Sequence, residues 1–209
     1  IRHHQTLEGF CMTERHMSVR RLTESAILIA LGFVLSYIQV KAWPQGGGIT
    51  CFSMLPILLI GFRHGLWWGL GSGLVYSVLQ LLQNHALVPP ADGLGTYFAM
   101  VALDYVLAFG VLGLSALFRK KKYGLVYASL VCLTLRYLCH IASGVLLWGS
   151  YAWDGWSVFP YSVVYNGTYM VPEIILTTLA AFFMTRYLPE RYIVPLKSAP
   201  RRVDWVKWD

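Results

Sequence analysis

Apolar residues in this chain come in long runs rather than in the alternating or three-to-four spacing of a half-buried surface element, and short polar or Gly/Pro-rich stretches separate the runs. A membrane-spanning helix needs about 20 mainly apolar residues. By that ruler residues 24–42 form a first span, ending before Trp43, Pro44, Gln45 and the glycines Gly46, Gly47 and Gly48. Residues 51–63 make a shorter run with Pro56 in its first half and Arg63 and His64 at its end, the pattern of a short or kinked span. Further spans are predicted at 66–83, at 96–118 (stopped by Arg119, Lys120, Lys121 and Lys122), at 124–148 and at 162–186. Pro89, Pro90, Asp92 and Gly93 mark a loop before the fourth span, and residues 149–161 form an aromatic-rich loop before the sixth.

The pattern therefore predicts an all-α integral membrane protein with six transmembrane helices. It divides the chain into an N-terminal arm at 1–22, a six-helix transmembrane domain at 23–187 and a basic tail at 188–209. Gly65, Gly69 and Gly73, at four-residue spacing, give the third span a small-residue face against which another backbone can pack closely.

Composition narrows the class further. The 209 residues are 56% hydrophobic, 15% aromatic and only 13% charged, whereas soluble domains carry about a quarter charged residues. A net charge of +7 would suit a nucleic-acid partner on a soluble module, but here the basic residues sit between apolar runs and report topology. Of the 17 Lys and Arg residues, 15 fall on one side of the six-span arrangement, Lys41 falls on the other, and Arg136 lies within a span. The positive-inside rule then places both termini in the cytoplasm. Arg20 and Arg21 before an apolar run have the look of a signal peptide, but no small-residue cleavage pattern follows, so the first span is read as uncleaved.

Cys11, Cys51, Cys132 and Cys139 form no CxxC pair, and neither a GxxxxGK[ST] phosphate loop nor an HExxH pair occurs. The expectation is a non-enzyme without metal or cofactor, which takes any energy for active transport from a partner.

Ionisable residues within spans mark functional sites, and there are four: Asp104, Arg136, His140 and Glu173. Asp104 and His140, with Asn166, fall toward the outer ends of their helices. Arg136 lies deeper, four residues from His140 on the same helical face and level with Glu173, and is expected to form a buried ion pair with it. Trp148, Tyr151, Trp153, Trp156, Phe159, Tyr161 and Tyr165 gather at the outer end. An interfacial belt would occupy both membrane faces. Aromatic faces over a carboxylate instead suit a flat cationic heterocycle, which ring quadrupoles attract and stack.

Several clusters together resemble a known family. They are Trp43 to Thr50, Ser53 to Pro56, Leu103-Asp104-Tyr105, Arg136-Tyr137 with His140, Ser143-Gly144, Trp148 to Tyr151, and Tyr165-Asn166. These are similar to the thiamine-specific S component of energy-coupling factor transporters. The resemblance implies a multi-pass protein of the prokaryotic cytoplasmic membrane that binds thiamine from outside. Its implied partners are a transmembrane coupling protein and two ATPase subunits, in a lipid setting and without nucleic acid. Carried over by motif, the binding residues are Asp104, Tyr105, His140, Trp148, Trp153, Tyr161 and Asn166, with Trp43 in the loop nearby. Where the family usually carries Glu, this chain has the shorter Asp104. Trp148 and Trp153 would stack the two rings, and Tyr161 and Asn166 would bond their polar edges. A neutral His140 suits a permanent cation best. Ala26 and Ala30, followed by Gly32, form a small-residue strip on the first helix, which the resemblance assigns to the coupling protein.

The same architecture would serve an S component for another vitamin, such as riboflavin, or a stand-alone facilitator. The carboxylate beneath aromatic rings favours a permanent cation. An intramembrane enzyme using Asp104 and His140 as acid and base has no visible nucleophile or metal site.

Overall fold

The computed structural model describes residues 2–41, 46–84 and 93–194, with side chains placed for 19–40, 46–84, 93–189 and 192–194. Trp43, the Pro89-Pro90 loop and the tail from residue 195 lie outside the described residues.

The long apolar runs fold as helices: α1 (Arg2–Tyr37), α2 (Leu55–His64), α3 (Leu66–Gln83), α4 (Leu94–Phe118), α5 (Gly124–Leu147), α6 (Val158–Tyr187) and a terminal turn α7 (Glu190–Ile193). Among the described residues, α4, α5 and α6 are long and apolar enough to cross a membrane. The helical pattern has one exception. After α1 stops at Tyr37, earlier than the run to residue 42 implies, β1 (Gln39–Lys41) pairs antiparallel with β2 (Gly48–Thr50), Val40 opposite Ile49. The Gly-rich segment thus returns along the chain that enters it.

The second apolar run forms a helix too short to cross a membrane by itself. At 10 residues and about 1.5 Å per residue, α2 reaches only about half the ~30 Å hydrocarbon thickness. It is instead the centre of the bundle, with Leu55 through Arg63 all buried. Pro56 produces no kink because it occupies the first turn, where its missing N–H has no helical partner to lose.

Around α2 the other helices turn a buried stripe inward at three- and four-residue spacing, as amphipathic packing requires. On α3 the stripe is Gly69, Ser72, Gly73, Tyr76, Ser77 and Gln80. Gly69 and Gly73 pack as the glycine spacing predicts, a side chain at Gly69 lying 2.6 Å from the Gly61 Cα and 3.0 Å from the Gly113 Cα, whereas Gly65 precedes α3 and would meet only the Arg119 side chain at 3.5 Å. Tyr76 donates to the Gly32 carbonyl at 3.1 Å, and Ser115 to the Leu58 carbonyl at 2.7 Å. Gly32 therefore faces α2 and α3, on the side of α1 away from exposed Ala26 and Ala30. The end of the bundle carrying most of the described basic residues is tied by Arg63, which bonds Glu24 at 2.9 Å and the Tyr192 carbonyl at 2.6 Å.

α4 is irregular. Its middle, Val101–Leu107, widens into a π-helical turn, and its last part, Val111–Phe118, tightens to 3-10 winding. Asp104 sits in the widened turn, a kind of irregularity frequent at functional sites.

Candidate functional site

A chamber of about 160 Å³ opens among α3, α4, α5, α6 and the hairpin. Asp104 enters from the π-helical turn of α4. Arg136, His140, Ser143 and Gly144 line one wall because they repeat at three and four residues along α5. Tyr161, Tyr165, Asn166 and Tyr169 do the same from α6, while Trp148 and Tyr151 close the end beyond α5. Gly46, Gly47, Gly48 and Thr50 supply the backbone of the remaining wall.

Asp104 and His140, 36 residues apart in sequence, are brought together. The His140 Nδ1 lies 2.8 Å from Asp104 Oδ1, and the Ser143 hydroxyl donates to Oδ2 at 2.5 Å. Two neighbours thus fix the carboxylate without neutralising it with Arg or Lys. With a neutral imidazole donating from Nδ1, Nε2 is an acceptor, and this atom is buried and has no partner among the described residues. Asn166 is held rigidly: its amide donates to the Ser162 carbonyl at 2.9 Å and to the His140 carbonyl at 3.3 Å, and its oxygen accepts from Tyr169.

The expected Arg136–Glu173 pair is absent. Glu173 accepts from the Thr50 N–H at 2.6 Å and the Thr50 hydroxyl at 2.7 Å. Arg136 lies with its guanidinium carbon 3.8 Å from the Phe109 ring centroid, and its Nε and Nη1 have no hydrogen-bond partner among the described residues. The two residues are level along their helices, but the hairpin, invisible in the apolar pattern, reaches Glu173 first. Arg136 is consequently a chamber residue rather than inter-helix glue.

Of the residues expected at the site, Asp104, Tyr105, His140, Trp148, Tyr161 and Asn166 line the chamber. Trp153 does not line it directly; it packs edge-on against Tyr161, with ring centroids 5.2 Å apart. Trp43 lies outside the described residues. Gln80, Ser143, Thr50 and Tyr169 also line the chamber and were given no role from sequence. Ser143, three residues beyond His140, could have been found from helical spacing; Gln80 and Thr50 come from elements whose approach only the fold decides.

Apolar helices around an aromatic-walled chamber with a fixed carboxylate define a helical membrane protein with room for a small polar solute. The sequence profile of the thiamine transporter protein family (Thia_YuaJ) matches residues 22–193, and the chain belongs to that family. It is 36% identical over 186 residues to the thiamine transporter ThiT of Bacillus subtilis strain 168, covering 79% of this chain and 91% of that protein. Against ThiT of Lacticaseibacillus paracasei it is 25% identical over 201 residues, covering 86% and 94%. A solved structure of ThiT from Listeria monocytogenes has the same fold, with a TM-score of 0.72 at 24% identity, covering 86% of this chain and 100% of that one. The family is one of membrane transport proteins and not of enzymes.

Proposed function

We propose that this protein binds thiamine in the Asp104–His140 chamber and mediates its uptake across the cytoplasmic membrane. We further propose that it acts as the S component of an energy-coupling factor transporter. The observation that carries the binding site is the Asp104 carboxylate, fixed by His140 and Ser143 within an aromatic-walled chamber. A thiazolium carries permanent positive charge and gains from both a carboxylate and ring faces. An aminopyrimidine presents an amine donor and ring-nitrogen acceptors. His140 Nε2 is available to accept from the amine, and Arg136 Nε and Nη1, without partners among the described residues, to donate to a ring nitrogen. Trp148 and Tyr161 supply stacking surface, Tyr105 and Asn166 complete the wall, and Trp153 acts by buttressing Tyr161.

Transport against a gradient needs an energy source, and the sequence carries no nucleotide-binding motif. A transmembrane coupling protein with two ATPase subunits fills that need. Exposed Ala26 and Ala30, on the face of α1 turned away from the bundle, suit close helix packing with the coupling protein. Six spans at residues 23–187, with both termini cytoplasmic, agree with the basic residues Arg63, Arg119, Lys120, Lys121, Lys122 and Arg186 following or ending helices on one side.

Titration of the purified protein with thiamine, read by intrinsic tryptophan fluorescence with riboflavin and a neutral pyrimidine as controls, tests the site. Saturable quenching by thiamine alone is expected. No response from folded protein would overturn the reading. Uptake into vesicles with and without the coupling module then separates an S component from a stand-alone facilitator.

A further inference from the structure

We propose that Glu173 is a positioning residue that holds the hairpin wall of the chamber, residues 46–50, against α6 and thereby sets how long the ligand stays. The ligand part rests on the reading of the chamber as a thiamine site; the tie itself does not.

Glu173 is 1% exposed, yet among the described residues it forms no ion pair. A buried carboxylate is costly unless its oxygens are satisfied, and both oxygens are bonded to one residue, Thr50, through its N–H and its hydroxyl. Thr50 Oγ1 also lies 2.7 Å from the Ser53 hydroxyl, which extends the tie toward the start of α2. Packing alone would be served by an apolar side chain.

Two more contacts continue the tie along the same helix face. The Tyr165 hydroxyl donates to the Gly46 carbonyl at 2.8 Å. The Tyr169 ring lies against Gly47, whose φ of +85° and lack of room exclude a side chain. Residues 165, 169 and 173 are spaced by four and so form one stripe on α6, about 12 Å long. The segment they hold presents Gly46, Gly47, Gly48 and Thr50 to the chamber. Loosening it opens a wall without altering Asp104, His140 or Trp148.

Hydrogen–deuterium exchange of the 46–54 segment in unliganded protein tests the tie, and release of radiolabelled thiamine tests its consequence. In Glu173→Ala, the segment should exchange at least about tenfold faster, and thiamine should leave at least about tenfold faster. Glu173→Gln keeps an oxygen for the Thr50 N–H and an amide for its hydroxyl, so both rates should stay near wild type. Should Glu173→Ala fail to fold, Thr50→Val removes the hydroxyl bond alone and should still speed both rates. Unchanged exchange in Glu173→Ala, or in Thr50→Val where that variant stands in, would overturn the tie. Equal acceleration in Ala and Gln variants would also overturn it, as would faster exchange with unchanged release for the positioning role. If wild-type protein retains no thiamine, the chamber reading fails, while the exchange data still decide the tie.

Discussion

Arg136 lies over Phe109, its guanidinium carbon 3.8 Å from the ring centroid, with Nε and Nη1 buried and unbonded among the described residues. The aromatic face offsets part of the desolvation of the charge and leaves the N–H groups available to a guest. A buried charge without a hydrogen-bonded partner contributes little to stability and is often replaceable by an apolar side chain.

Arg136→Met should therefore leave the unliganded melting temperature unchanged or raise it, while weakening thiamine binding at least about tenfold, roughly 1.4 kcal/mol. Melting curves with and without thiamine read both effects. A marked drop in unliganded stability with normal affinity would place Arg136 in the scaffold instead.

Asp104→Asn removes the charge proposed to face the ligand cation, and Ser143→Ala removes the 2.5 Å donor that fixes it. Both should weaken thiamine binding. Asp104→Asn should have the larger effect, at least about tenfold, and Ser143→Ala should cost about 1–2 kcal/mol, the scale of a hydrogen bond to a charged group. Calorimetric titration would rank them, and wild-type affinity in Asp104→Asn would remove the carboxylate from the site.

The two tryptophans expected to stack the ligand differ in position: Trp148 lines the chamber, whereas Trp153 touches Tyr161 behind it. Trp148→Ala should reduce affinity at least about tenfold, with a smaller loss for Trp153→Ala. Thiamine-dependent quenching should fall most in the Trp148 variant. The reverse ranking in equilibrium binding would mean that Trp153 is the stacking residue.

Gly69 and Gly71 are separated by one residue on α3 and should respond in opposite ways. A Cβ at Gly69 meets Gly61 and Gly113 backbone, while a Cβ at Gly71 meets nothing within 4 Å. Gly69→Ala should destabilise by about 1–3 kcal/mol through overpacking, and Gly71→Ala should be neutral or stabilise by up to about 1 kcal/mol, as expected for a helix interior. Thermal unfolding of both variants in one detergent provides the comparison.

The helices and much of the chamber were legible in the chain itself. Long apolar runs mark α3 to α6, with basic stops after α4 and at the end of α6, because lipid-facing and core-facing residues must both be apolar. The spacing of Gly65, Gly69 and Gly73 announces a close backbone approach. Asp104, His140 and Asn166 stand out because polar groups are costly at such depth. The tertiary structure alone decided the rest. How a ten-residue apolar run packs depends on what surrounds it, and α2 is enclosed on every side. The partner of Glu173 depended on the hairpin: Thr50 reaches the carboxylate from 123 residues away in sequence, leaving Arg136 to the chamber. Helical period reports which residues share a face, but which faces meet is settled by packing between elements distant along the chain.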